Sequence, residues 1–332
     1  MVLYIDDILQ KAADTVKTHE LSEGQYARWL WQNAGGTRNL DTDPYGCADA
    51  ANILYTIGQF PSTEESRRHW IASLQGLQDP HSGLFTDRTH HPIHTTAHCI
   101  AALELFEARP VYALTQLEEY ATKEGIVHLL ESLDWVNDPW DMSHRGAGAY
   151  AALVLTDSVD ADWQDTYFSW FWENADEETG LWRKGAVRKG DIVQMFPSIA
   201  GTFHYLFNHE YAKRPLRYPD RMIDTCLAYY DSVRDNFGLG IGFSQIDWVY
   251  CLNRAGRQTA YRFSDSRDAL KDFAYRFITN LGSIDAEKDD RFQDLHALFG
   301  AVCCLAELQQ AIPGVIRSRK PLKLVLDRRP FI

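Results

Sequence analysis

Carboxylates and imidazoles recur in this chain just ahead of, or just inside, stretches of small and apolar residues. Asp41, Asp43 and Tyr45 stand before residues 46–58, and His90, His91, His94 and His98 run into residues 99–106. Trp140, Asp141, His144 and Arg145 precede residues 146–155, and Gln194, Met195 and Phe196 precede residues 197–207. Phe243, Gln245, Asp247 and Trp248 open a fifth stretch, and Phe292, Gln293, Asp294 and His296 a sixth. Proton transfer is the chemistry such a set suggests, with Asp43, Asp141, His144, Asp247 and His296 as candidate acids and bases. Tyr45, His94, Trp140, Arg145, Phe196, Gln245, Trp248 and Asp294 are candidate substrate contacts. Plainer roles compete: Asp41, Asp43 and Asp294 also suit helix caps, and His98 and His204 suit hydrogen-bonded core positions. The histidines from His90 to His98 include i, i+4 pairs, a metal-ligand spacing, but lack an accompanying HExxH glutamate or CxxC, so a solvated turn is the expectation there.

These residues need a scaffold that gathers them, and the chain supplies one by repetition. Trp70 to Phe106 reads as helix, turn and buried helix: the first helix stops at Asp79-Pro80, and His81-Ser82-Gly83 turns the chain. Leu84-Phe85 can plug the turn from beneath. The second helix, from Pro92, is apolar on nearly every face and must be buried. Asp176 to Trp182 repeats the same turn. Further outer helices are expected at 25–33, 114–133, 163–174, 221–233 and 266–281. Their inner partners are expected at 46–58, 146–155, 197–207, 245–253 and 294–309. Leu54, Leu103, Leu153, Leu206, Leu252 and Leu305 mark the inner helices at steps of 49, 50, 53, 46 and 53 residues. Six units of that length predict an all-α (α/α)6 toroid over residues 1–332, with an open solenoid as the competing arrangement. Residues 1–20 form a lead-in helix, and the basic tail 317–332 is expected along the outer wall through Leu322, Leu324 and Leu326.

Composition narrows the partners. A net charge of -13 over 332 residues disfavours nucleic acid and anionic membrane, and a small molecule fits better. No apolar run is long enough for a transmembrane segment, and the amino-terminal residues carry acids where a signal peptide would be basic and apolar. Six cysteines without a CxxC pair predict buried thiols in a cytoplasmic protein. A partner subunit is left open.

The Asp-Pro-x-x-Gly-Leu-Phe turn followed by a small-residue helix resembles the repeats of the terpenoid cyclase and protein prenyltransferase toroids. Leu295-His296-Ala297-Leu298-Phe299-Gly300 resembles the zinc-binding last inner helix of the prenyltransferases, and Asp247-Trp248-Val249-Tyr250 resembles their Asp-x-Cys-Tyr ligand segment. The resemblance implies zinc on Asp247 and His296, with Val249 in the place of the ligand cysteine and Cys251 as its stand-in. Asp41-Thr42-Asp43 resembles part of the cyclase acid motif, which implies Asp43 as a proton donor raised by burial and by Asp41 or Asp49. The substrate implied is isoprenoid-like. A looser likeness to the six-hairpin glycoside hydrolases and lyases, carried by residues 176–182 and 140–148, implies instead a saccharide and a hydrolase, lyase or epimerase. A non-catalytic ring binding a ligand or partner is the third reading.

Overall fold

The computed structural model describes residues 2–187 and 192–332. The chain begins with β1 (Leu3–Tyr4), α1 (Asp6–Thr18), β2 (Glu20–Ser22) and β3 (Gln25–Tyr26). There follow α2 (Pro44–Thr56), α3 (Glu64–Gly76), α4 (Pro92–Leu105), α5 (Lys123–Ser132), α6 (Pro139–Leu155) and α7 (Ala161–Glu173). The second half holds α8 (Phe196–Ala212), α9 (Pro219–Phe237), α10 (Phe243–Gly256), α11 (Phe263–Ser283), α12 (Leu295–Ala311), β4 (Ile316–Arg317) and α13 (Val325–Arg328). The fold is all-α in substance. β1 pairs in parallel with β4, and β2 antiparallel with β3.

The even-numbered helices from α2 to α12 are buried on nearly every face, as their Ala- and Gly-rich, apolar sequences require. Each packs against the next, and α12 returns to α2, so their contacts run in a closed cycle. The odd-numbered helices bury one face only and pack outside them. The two matching turns are built alike. Asp79 accepts from the backbone N–H of His81 and Ser82, and Asp176 from those of Glu178 and Thr179. Gly83 and Gly180 then take positive φ values of 74° and 72°, where a side chain would be strained. The plug that follows is tied inward by a hydroxyl of the next inner helix, Phe85 N–H to Thr96 and Trp182 N–H to Thr202.

Three expectations are corrected. Residues 25–33 do not form a helix. They contain β3 and then cross the ends of α2 and α12, because their backbone groups are taken from afar: Arg28 N–H donates to the Asp43 carboxylate, and Arg28 C=O accepts from Leu295 N–H. The lead-in helix α1 takes the outer place instead, against α2, α11 and α12. The tail, finally, does not run along the outer wall. α13 packs on α2 and α8, the Asn208 amide donates to Pro330 C=O at 2.8 Å, and Val325, Arg329, Phe331 and Ile332 are all buried.

All six cysteines are free and buried. Among the described residues no helix is long and apolar enough to cross a membrane.

Candidate active site

Tyr45, in the first turn of α2, stands in the middle of a cage of imidazoles. Its ring stacks on His90 and His98, with centroids 4.5 and 5.0 Å away, and meets the edge of His296 at 4.6 Å. Its hydroxyl shares a hydrogen bond with Nδ1 of His94. His94 and His98 lie one turn apart on the inward face of α4, which starts at Pro92 with His91 as its N-cap. His144 comes from α6, His204 from α8 and His296 from α12, so six of the twelve histidines of the chain meet here. The solvated turn expected for residues 90–98 is thereby overturned: His94 and His98 are buried, and His90 and His91 are half-buried.

Asp49 lies beneath this cage, fully buried. Its carboxylate accepts from Nε2 of His98 at 2.9 Å and from Nδ1 of His296, each oxygen at 3.2 Å. Burial alone would push the Asp49 carboxyl up, but the two imidazoles outweigh it and hold the group well below the usual carboxylate range. Burial pushes His98 the other way, down to about 4, against the pull of Asp49. Because the carboxylate can only accept, Nδ1 of His296 donates in the shared bond, which leaves Nε2 as the nitrogen that can exchange a proton with a substrate. That is the arrangement of a general base oriented by a buried acid.

A second group faces it. One ring nitrogen each from His94, His144 and His204 lies within 4.8 Å of the other two, and the same holds for ligand atoms of Asp49, His98 and His296. Burial and the neighbouring imidazoles push His94 and His204 well below the ordinary histidine value. Phe331 of the tail packs against both, with centroids at 4.9 and 6.3 Å.

Above Tyr45 a cavity of about 440 Å³ opens to solvent, lined by Arg28, Trp29, Asp43, Tyr45, Asp87 and Arg88 among others. Arg28 holds Asp294 with two bonds of 2.7 and 2.9 Å while its guanidinium lies 4.3 Å over Trp29. Asp43, which lines the cavity, and Asp294 are both caps: Asp43 accepts from Gly46 N–H at 2.7 Å, and Asp294 from His296 N–H at 3.0 Å. Burial pushes the Asp43 carboxyl up to about 7, although the backbone donors and Arg28 pull it back. Asp41 is exposed and caps nothing.

Comparison with protein-family models, with curated proteins and with solved structures finds no match to this chain. The site is therefore argued from its own geometry.

The remaining candidates are scattered. Asp247 is buried on α10 with no hydrogen-bond partner for either oxygen among the described residues, and burial pushes its carboxyl well up, which keeps it neutral. The zinc set implied by the prenyltransferase likeness does not form: Asp247, Cys251 and His296 do not converge, His296 bonds Asp49, and the Cys251 thiol donates to Ile199 C=O. These residues do not fit the zinc of that family. Trp248 points outward, its indole donating to Cys226 C=O at 2.8 Å and stacking on Tyr230. Gln245 is tied to Phe237 C=O. Trp140 and Phe196 make an edge-to-face pair at 5.6 Å, away from the cavity lining. Asp141 is exposed and lies 3.5 Å from His144 Nδ1, and the half-buried Arg145 keeps its Nε without a partner among the described residues. Asp49 is the residue at the heart of this cluster that the candidate set lacked. Its one signal is a lone acid inside the otherwise small and apolar run of residues 46–54.

Proposed function

We propose that the chain is an (α/α)6 toroid enzyme that moves a proton on a polar, saccharide-type substrate entering between Arg28, Trp29 and Arg88. The observation that carries this reading is Asp49: a fully buried carboxylate holding two imidazoles that pack on Tyr45, a residue of the cavity lining. His296 Nε2 is the base, Asp49 positions it, and the Tyr45 hydroxyl, which burial keeps protonated, is the donor. Trp29, with the Arg28 and Arg38 guanidiniums over its ring, lines the entrance, and Arg88, exposed and without an ion pair among the described residues, offers a cation to an acidic group.

Within the carbohydrate-active class, this arrangement favours a lyase or epimerase over a hydrolase. Glycoside hydrolysis uses two carboxylates flanking the bond, whereas the two acids lining this cavity are both tied up, Asp43 as the cap of α2 and Asp87 by the Thr89 and Thr95 hydroxyls and His90 N–H. An isoprenoid would need an apolar chamber, and six histidines with Asp49 make a polar one.

The experiment is solvent exchange. Wild type incubated in D2O with a panel of neutral sugars and uronates should place deuterium on a carbon beside a carbonyl or carboxylate, seen by NMR. His296→Ala should lose the exchange, and Asp49→Asn should slow it by about 100-fold or more, the scale of general acid–base contributions. No exchange with any member of the panel, or turnover of isoprenoid alcohols or diphosphates instead, overturns the reading.

A further inference from the structure

We propose that His94, His144 and His204 bind a divalent transition-metal ion of the zinc class, with water in the fourth position. The three side chains come from three successive inner helices, α4, α6 and α8, and their ligand nitrogens already lie within 4.8 Å of one another. Zinc–imidazole bonds of about 2.0–2.1 Å set tetrahedral ligand nitrogens roughly 3.3 Å apart, so the rings need close by only about 1.5 Å.

What the rings bond on their other edges supports the set. Nδ1 of His204 lies 3.1 Å from the Ala200 carbonyl, which can only accept, so the proton sits there and Nε2 is bare. The Tyr45 hydroxyl holds Nδ1 of His94. Nδ1 of His144 is buried without a hydrogen bond, 3.5 Å from the Asp141 carboxylate. Metal-bound imidazoles are held in this way, by an oxygen on the nitrogen that does not ligate.

The other converging group is less suited. His98 and His296 both spend an N–H on Asp49, so the carboxylate of that trio is already occupied without an ion. Among the described residues no hydrogen bond joins His94, His144 and His204 to one another, and the groups pressing on His94 are other imidazoles. Three imidazole nitrogens crowded together with no hydrogen bond between them are what a cation resolves. His144 is half-buried, which leaves an approach for the ion and its water. A three-histidine ion with one open position polarises a bound water or a substrate oxygen. This inference stands apart from the proton-transfer reading, because it concerns the resting protein without substrate.

The test uses the full chain, stripped with a chelator and titrated with zinc chloride by calorimetry, with elemental analysis for stoichiometry and cobalt(II) absorption for geometry. The expected result is one ion per chain bound at micromolar concentration or tighter, with a tetrahedral cobalt spectrum. His204→Ala and His144→Gln should abolish binding. Tyr45→Phe, which removes only the hydroxyl on His94, should weaken it by roughly 10–100-fold, and His296→Ala should leave it within about twofold. No stoichiometric zinc in wild type, or full affinity in His204→Ala, overturns the proposal. Circular dichroism monitors folding; should the histidine variants lose helicity, Tyr45→Phe decides, and unchanged affinity there overturns the proposal as well.

Discussion

Phe331 packs on His94 and His204 of the histidine cluster, and Phe331→Ala measures whether the tail occupies the interior. Its ring is fully buried, 5.4 Å from Phe207 and 4.9 Å from His94. Truncating a buried phenylalanine costs about 3–5 kcal/mol, with the larger values where the surroundings cannot collapse into the space. They are held here. Tyr45 fixes His94, Ala200 fixes His204, and the Asn208 amide binds the tail backbone at Pro330. The loss should therefore be about 4 kcal/mol. For a chain of this size the urea m-value is about 3 kcal/mol/M or somewhat more, so the unfolding midpoint should fall by roughly 1 M with m unchanged. A tail lying on the outer surface would give a change within about 0.5 kcal/mol. A midpoint shift below about 0.2 M, with helicity intact, refutes the inward placement. Phe331→Leu should lose distinctly less, because it leaves a smaller void.

Two further outcomes follow from the caps and turns. Asp43 has a folded-state pKa of about 7 against an ordinary 3.8, so between those values the native state holds a proton that the unfolded state releases, and stability falls as pH rises. The fall amounts to roughly 4 kcal/mol at most; Asp43→Asn, whose carbonyl can still cap Gly46 N–H, should flatten urea midpoints between about pH 4 and 7, and an unchanged slope contradicts the assignment. Gly83→Ala would bring a Cβ to 1.9 Å from the Ala113 carbonyl and Gly180→Ala one to 2.4 Å from Met222 N, both at positive φ. Each should therefore cost about 2–4 kcal/mol in thermal or urea unfolding, the range of strained backbone with overpacking, and a loss below 1 kcal/mol would show that these turns do not carry the packing.

The helix pairs were legible because their signals are local. An Asp-Pro stop, a glycine at positive φ and an apolar plug lie within seven residues, and the buried helices declare themselves by having no polar face. What sequence hid depends on groups brought from afar. Residues 25–33 carry helical apolar spacing, yet their backbone bonds are claimed by Asp43 and Leu295, and no local pattern reports that. The histidines of residues 90–98 sit in a polar neighbourhood along the chain, and only the cyclic packing of α2, α4, α6, α8 and α12 turns that neighbourhood inward.

Asp49 and Asp247 make the sharpest contrast. Both are single acids within apolar inner helices, and both are wholly buried. The likeness at Asp247-Trp248-Val249-Tyr250 drew weight to the second, which stays neutral and without a partner among the described residues, whereas the first is ionised between two imidazoles. A buried ionised acid with its partners costs stability that an apolar residue would not. Its place beside Tyr45, among six converging histidines, is the observation on which the proposed proton-transfer site rests.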